Sequence, residues 1–279
     1  AAPAPASSPF FLWCSFPDPH EPFAAVKKWS DFYDDVDIQL PPQTLALSPE
    51  SRSRTMTKVG LGTDVIDPEL IKKSIKQTYG MESHVDEQVG RVLDCLDELG
   101  ITDNTVVIFI SDHGDQLGEH GLFYKSVYPY DAHMRIPFIV KAPGAPKGKV
   151  VEDVVSMLDL VPTVMDLAGV AFPCDLPGEG LAPVVAGDAE PLRKTALVEI
   201  DRMGKSFDHH LPMRAIVTNE YKLVYYPKHK ETMLFDRKND PCELKNLAGE
   251  PELQPLILEL FKQLQSELTR TEMPALLRK

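Results

Sequence analysis

Apolar positions in the first 190 residues follow two patterns, one of continuous runs and one of helical spacing. Continuous runs predict short strands buried on both faces, as in parallel sheets, at residues 9–16, 105–111 and 137–141. Helical spacing predicts helices over residues 71–99 and 156–167, and Gly100 supplies the stop of the first. This mixture of elements predicts an α/β fold built on a mostly parallel sheet.

The pattern changes after residue 190, where short strands follow one another without helices between them. Strands are predicted at residues 196–200, 213–218, 221–226 and 233–236. Their close succession favours a small antiparallel sheet, and residues 253–268 have the apolar spacing of an amphipathic helix that covers one face of it. The sequence therefore divides into an α/β part, residues 1–190, and a small α+β subdomain, residues 191–279.

The composition is that of a globular chain with an excess of acidic residues. The 279 residues are 43% hydrophobic, which is enough to bury a core. The formal net charge of −13 argues against a general nucleic-acid surface, so an anionic substrate needs local cations. No apolar run approaches membrane-spanning length, and neither nucleic acid nor a membrane is expected as a partner.

The four cysteines lack the paired spacing of a disulfide framework or a zinc module, so free thiols are predicted. Cys95 falls on the apolar stripe of the predicted helix over residues 71–99, which predicts a buried packing role. Free thiols slightly favour the cytoplasm over the periplasm, and the sequence does not otherwise specify the compartment.

Polar residues after the strand at residues 105–111 form the strongest candidate site. Ligands of parallel sheets gather beyond the carboxyl ends of strands, where Asp112 and His113 lie. Carboxylate oxygens and neutral imidazoles bind metals, and Gly114 allows a sharp turn that would bring both side chains onto one ion. Lys125 offers a fixed positive charge to an anionic substrate. On spacing alone, the alternative is a turn capped by a surface histidine.

A second candidate is His20, which lies in a proline-bracketed loop beyond the strand predicted at residues 9–16. Prolines restrict such a loop, so the imidazole could donate a hydrogen bond to a developing anion or protonate a leaving oxygen. A solvent-exposed loop histidine is the alternative on spacing alone.

The segment over residues 110–125, ISDHGDQLGEHGLFYK, resembles the sulfatase family, in which a strand ending in Asp-His-Gly or Asp-Asn-Gly precedes a Leu-Gly-x-His-Gly-Leu turn and a lysine. Similar stretches at residues 9–22, 34–42, 71–99, 130–144 and 221–248 extend the resemblance over nearly the whole chain. It implies an alkaline-phosphatase-like fold, with a mostly parallel sheet flanked by helices and a small C-terminal antiparallel sheet plus helix. It also implies that Asp112 and His113 bind metal, that Lys125 holds a sulfate oxygen, and that His20 contacts the ester.

The same resemblance implies a nucleophile that this sequence lacks. The family's formylglycine arises in a Cys-x-Pro-x-Arg or Ser-x-Pro-x-Arg element, and the sequence contains neither. We therefore expect the C-terminal portion of a sulfatase-like hydrolase, inactive alone, whose formylglycine lies in a missing N-terminal part. The expected cofactor is a divalent metal, calcium first and manganese or magnesium as alternatives.

Two alternatives stay open. His113 stands where many sulfatases have asparagine, and the Asp-His version is also similar to phosphonate monoester hydrolases of the same superfamily. The expected partner is accordingly a small sulfate ester or phosphonate ester. The second alternative is a non-catalytic folded remnant, whose incomplete sheet would expose unpaired edges and favour homo-oligomers.

Overall fold

The computed structural model describes residues 8–40, 42, 67–171, 176–191, 193–201 and 212–271. These residues form two compact units. The described residues of one unit fall within positions 1–39 and 68–99, and those of the other within 40–67 and 100–279. The division predicted between residues 190 and 191 stays a prediction. No helix in the described part of the chain is both long and apolar enough to cross a membrane.

The first unit contains a short helix, Lys27–Tyr33, and a long helix, Pro68–Glu98. Proline suits the first turn of the long helix because its missing N–H is not needed there. Buried apolar residues of the long helix lie in its first half and include Ile71 and Ile75. Cys95 in the second half is exposed, so the predicted burial of this thiol is wrong. Cys14 and Cys242 are free thiols as predicted, and Cys174 lies outside the described residues.

Residues 9–17 form no strand, in contrast to the prediction of a buried strand at residues 9–16. Except for the half-buried Phe16, the side chains of this run are exposed, with Phe11 at 75% and Trp13 at 70%. An apolar run indicates that burial would be favourable, but a strand also needs a neighbouring strand to accept its hydrogen bonds. No such neighbour pairs with this run among the described residues.

In the second unit, β1 (Val107–Ile110) and β2 (Phe138–Lys141) form a two-stranded sheet. Both strands were predicted, but they pair antiparallel, with Ile110 opposite Phe138, rather than parallel. The connecting residues 111–137 therefore leave and re-enter the sheet at the same end, and no crossover helix is required. They stay at the end of β1 where the candidate site lies.

Short helices accompany this sheet. A 3₁₀ turn, Thr102–Asn104, precedes β1, and the connection between the two strands contains a 3₁₀ turn and a short helix, Glu119–Gly121 and Asp131–Met134. The helix predicted at residues 156–167 is present as a 3₁₀ turn that leads into an α-helix, followed by one further short helix: Met157–Asp159, Leu160–Ala168 and Ala182–Ala186.

The predicted C-terminal sheet is confirmed. Its four antiparallel strands lie in sequence order: β3 (Ala196–Ile200), β4 (Met213–Val217), β5 (Tyr221–Tyr226) and β6 (Glu231–Asp236). After the 3₁₀ turn Pro251–Leu253, the helix Gln254–Thr271 covers one face through Ile257, Leu260 and Leu264.

The other face of this sheet packs against the connection between β1 and β2. Buried residues of the connection, Leu122, Val127, Tyr128 and Tyr130, share one core with sheet residues that include Val224 and Tyr226. Tyr226 also donates a hydrogen bond from its hydroxyl to the carbonyl oxygen of Val127, at 3.1 Å. The C-terminal sheet thus supports the residues on both sides of Lys125.

Candidate metal and substrate site

The end of β1 presents a carboxylate and an imidazole side by side. Asp112 Oδ2 lies 3.5 Å from His113 Nε2. His113 Nδ1 lies 2.9 Å from the carbonyl oxygen of Gly114, and Nε2 is the ring nitrogen that approaches Asp112. A carboxylate oxygen and an imidazole nitrogen at this separation can bind a common divalent cation. The two side chains therefore fit as ligands of one ion.

Backbone contacts hold these two ligands. Asp112 Oδ1 accepts a hydrogen bond from the backbone N–H of His113 at 2.9 Å, which leaves Oδ2 for an ion. The hydroxyl of Ser111 donates to the carbonyl oxygen of His113 at 2.8 Å. Within the described ranges, no group of three or more His, Cys, Asp or Glu side chains is arranged to hold a metal. Asp112 and His113 would therefore be only part of a complete ligand set.

Gly114 is required by close packing rather than by an unusual turn. Its φ is not in the positive region that only glycine adopts easily. Its N–H donates to the carbonyl oxygen of His133 at 2.8 Å. A Cβ at this position would lie 2.0 Å from the carbonyl oxygen of Ala132, which is far inside van der Waals contact. Residues 111–114 carry the two proposed ligands and are called the ligand loop below. Only glycine lets this loop approach the short helix Asp131–Met134 so closely.

His133 belongs to the site, although sequence reasoning did not single it out. Its ring packs edge-on against that of His113, with 5.7 Å between ring centroids and an angle of 73°. It is 5% exposed, and its Nδ1 is buried without a hydrogen-bond partner in the described structure. Burial, and then the nearby His113 and Lys125, lower the pKa of His133 to about 4. The imidazole is therefore neutral at pH 7.

Lys125 is presented by a loop that Asp115 closes. Asp115 Oδ1 accepts hydrogen bonds from the backbone N–H groups of Leu117 and Tyr124, at 2.9 and 3.0 Å. These bonds draw the two ends of the loop together and fix the residue next to Lys125. The positive charge of Lys125 is among the causes that lower the pKa of His133, so this lysine lies near that ring. Asp115 was missed because a carboxylate that caps a loop has no motif of its own.

His20 lies in the first compact unit, whereas Asp112, His113 and Lys125 lie in the second. Its imidazole is exposed, and Nδ1 lies 2.8 Å from the carbonyl oxygen of Glu21. Its backbone N–H donates to the carbonyl oxygen of Pro17 at 3.0 Å, which forms the expected turn. Its role at an ester stays a prediction.

An acid–imidazole pair at the tip of a strand and an appended antiparallel sheet are features of the alkaline-phosphatase-like class of folds. Two family descriptions match the sequence: "Sulfatase" over residues 2–170 and "N-sulphoglucosamine sulphohydrolase, C-terminal" over residues 118–270. The chain belongs to the sulfatase family, and the resemblance given above is confirmed.

Individual relatives agree with this membership. The chain is 32% identical to an arylsulfatase of Clostridium perfringens, over 95% of this chain and 55% of that protein. It is 32% identical to a choline-sulfatase of Rhizobium meliloti, over 87% of this chain and 47% of that protein. The chain thus spans about half the length of the curated relatives it matches.

A solved structure supports the fold assignment. The phosphonate monoester hydrolase of Silicibacter pomeroyi superposes with a TM-score of 0.76 at 27% identity, over 91% of this chain and 54% of that chain. The predicted alkaline-phosphatase-like fold class is thereby confirmed, with the antiparallel β1–β2 pair as the part that the sequence did not predict.

Proposed function

We propose that this chain supplies the metal-ligand and lysine part of a sulfatase-like hydrolase that cleaves sulfate esters. The observation that carries the proposal is the 3.5 Å approach of Asp112 Oδ2 to His113 Nε2 at the tip of β1. A carboxylate oxygen and an imidazole nitrogen at that distance can bind one divalent ion, and membership of the sulfatase family supports this assignment.

In this proposal each side chain has one task. Asp112 and His113 would hold the ion, which would supply positive charge against the oxygens of the transferred group. Lys125 binds an oxygen of the same group and favours departure of the alcohol. His20 contacts the ester oxygen and can supply a proton to it. The ion and Lys125 matter for binding an anionic ester because the net charge of −13 repels anions at long range.

The nucleophile is assigned to residues outside this sequence. A formylglycine upstream, together with further acidic ligands, would complete the site. The half-length match to the relatives supports this assignment. We accordingly propose that the chain alone does not turn over ester. A non-catalytic remnant is the alternative, favoured by the absence of a three-residue metal cluster from the described residues.

The transferred group is proposed as sulfuryl, with phosphoryl as the second candidate. Two family descriptions and the arylsulfatase and choline-sulfatase relatives support sulfuryl. The phosphonate monoester hydrolase structure supports phosphoryl. We rank calcium first as the ion because hard oxygen ligands suit it, and manganese next because His113 supplies nitrogen.

Lys125→Ala tests the lysine assignment in a form of the protein extended upstream from its gene. We expect kcat on an aryl sulfate to fall about 100-fold or more, since removal of one group that stabilises a developing oxyanion has that size of effect. The thermal midpoint should stay within about 2 °C. Lys147→Ala, at an exposed position, is the matched control and should change neither quantity. Unchanged kcat in Lys125→Ala would reject the assignment.

A further inference from the structure

Lys222 is a buried lysine on the face of the C-terminal sheet that supports the candidate site. It is 0% exposed and shares its side of β5 with Val224 and Tyr226. Its Nζ donates to the carbonyl oxygen of Pro129 and to Asp131 Oδ1, both at 2.6 Å, and lies 2.5 Å from Glu243 Oε1. The three contacts of this ammonium group are therefore with Pro129 and Asp131, which lie in one turn of the chain, and with Glu243.

Asp131 is fixed at both its side chain and its backbone. Arg237 Nη2 lies 3.1 Å from Asp131 Oδ2, and the backbone N–H of Asp131 donates to Glu243 Oε2 at 2.8 Å. Burial alone would raise the pKa of Asp131, but Lys222 and Arg237 outweigh burial and lower it. Burial, reinforced by Asp131, raises the pKa of Glu243 although Lys222 opposes the shift.

Stability alone is a weak reason for such a cluster. Removing ions from water is costly, and well-packed apolar residues often stabilise a fold as well or better. Buried ion clusters can instead select one arrangement of the segments that they join. The segment joined here is the short helix Asp131–Met134.

That helix is attached directly to the ligand loop. The Gly114 N–H donates to the carbonyl oxygen of His133, and the ring of His133 packs on that of His113. A Cβ at Gly114 would overlap Ala132. Movement of the helix would therefore move His113, because hydrogen bond, ring contact and backbone contact all join the same two segments.

We propose that Lys222 is a positioning residue: together with Glu243 it holds Asp131 so that His133 fixes the orientation of His113. The functional meaning of this arrangement rests on the proposed metal site. The C-terminal sheet then contributes to the site although it supplies none of the proposed ligands. A merely structural lysine would stabilise the whole unit and leave the local coupling between the helix and the ligand loop unaffected.

The test is amide hydrogen exchange in the double variant Lys222→Met/Glu243→Gln, measured by NMR on the full chain. The double substitution removes one positive and one negative charge, so Asp131 keeps Arg237 and no carboxylate is left without compensation. We expect the Gly114 amide to exchange about 10-fold faster, relative to the Ile216 amide on the central strand β4. Lys194→Met, which removes an exposed ion pair with Asp153, is the control and should leave Gly114 exchange unchanged.

Parent-like Gly114 exchange in the folded double variant would overturn the proposal. If that variant does not fold, Lys222→Arg takes its place, because a guanidinium keeps the charge but cannot reproduce the three contacts of the ammonium group. At least threefold faster Gly114 exchange in Lys222→Arg supports positioning, and parent-like exchange overturns it.

A Mn²⁺ titration separates this proposal from the proposed function. In the form extended upstream from its gene, in which the proposed ligand set is complete, paramagnetic Mn²⁺ should broaden the His113 and Gly114 signals, and Asp112→Asn should abolish this broadening. Broadening that survives Asp112→Asn contradicts the proposed metal site, whatever Lys222 does. Broadening that is lost in Asp112→Asn, with parent-like Gly114 exchange in the Lys222 variants, contradicts the positioning proposal alone.

Discussion

At the scale of residues, the site depends on close approach as much as on charged groups. Asp112 and His113 became candidates in the sequence because, with Lys125, they match a motif of the sulfatase family, and their role as ligands stays a prediction. His133 could not be recognised in this way, because its place beside His113 results from the antiparallel return of the chain. The periodicities of helices and strands do not predict contacts between residues 20 positions apart, such as His113 and His133, when the chain between them is irregular.

Gly114→Ala should disrupt the contact between the ligand loop and the short helix. The added Cβ would lie 2.0 Å from a backbone oxygen, which cannot move aside without moving the helix. We expect a loss of about 2–4 kcal/mol in the free energy of unfolding, measured by urea denaturation. Gly90→Ala is the matched control, since nothing lies within 4 Å of its Cβ and alanine favours a helix by about 0.5–1 kcal/mol. Equal effects of the two substitutions would contradict the packing argument.

His133 should make the stability of the metal-free chain depend on pH. Its folded pKa of about 4 lies below the ordinary 6.5, so the unfolded chain binds the proton first as pH falls. The stabilisation is complete above pH 6.5 and is lost progressively down to pH 4. A shift of that size corresponds to about 3 kcal/mol.

The measurement is the free energy of unfolding at pH 7 and pH 4, in the presence of a chelator, for the parent and His133→Asn. We expect the parent to lose about 3 kcal/mol more than the variant over this interval, since other groups contribute equally to both. His229→Asn, at an exposed position, should behave like the parent. A parent and a His133→Asn variant with the same pH dependence would show that the buried imidazole is not the cause.

At the scale of elements, the sequence predicted correctly those strands whose pairing strands and covering helix lie close by in the chain. The strands at residues 196–200 and 221–226 were predicted to the residue, because neighbouring strands and a covering helix follow closely in the chain. The predictions of a strand at residues 9–16 and of a buried Cys95 are wrong. In both cases the apolar pattern was real, but burial requires a partner surface that the pattern does not specify.

The C-terminal helix, Gln254–Thr271, contains a buried and an exposed leucine that should differ in their contribution to stability. Leu260 is 2% exposed and packs against the sheet, whereas Leu258 in the same helix is 62% exposed. Leu260→Ala should cost about 2–5 kcal/mol of unfolding free energy, because it removes buried apolar contacts and leaves a cavity. Leu258→Ala has the same helix propensity change and should cost less than about 0.5 kcal/mol. Comparable losses in chemical denaturation would mean that the helix does not cover the sheet as described.

At the scale of the whole molecule, several large apolar side chains of the described residues are exposed. Phe109 and Ile139 lie opposite each other on β1 and β2 and are 40% and 61% exposed. The run that contains Phe11 and Trp13 is exposed as well. Such surface favours association with another chain or with a missing half. Self-association therefore stays a prediction, as does the assignment of the nucleophile to upstream residues.

The measurement that tests the central claim most directly is ester hydrolysis by this chain and by a form extended upstream from its gene. Both would be assayed on an aryl sulfate and on a phosphonate monoester, with calcium or manganese and with a chelator. We predict metal-dependent hydrolysis by the extended form only, with the sulfate ester preferred. Hydrolysis by the chain alone would contradict the missing nucleophile. An extended form that is inactive on both esters with either metal would contradict the hydrolase assignment.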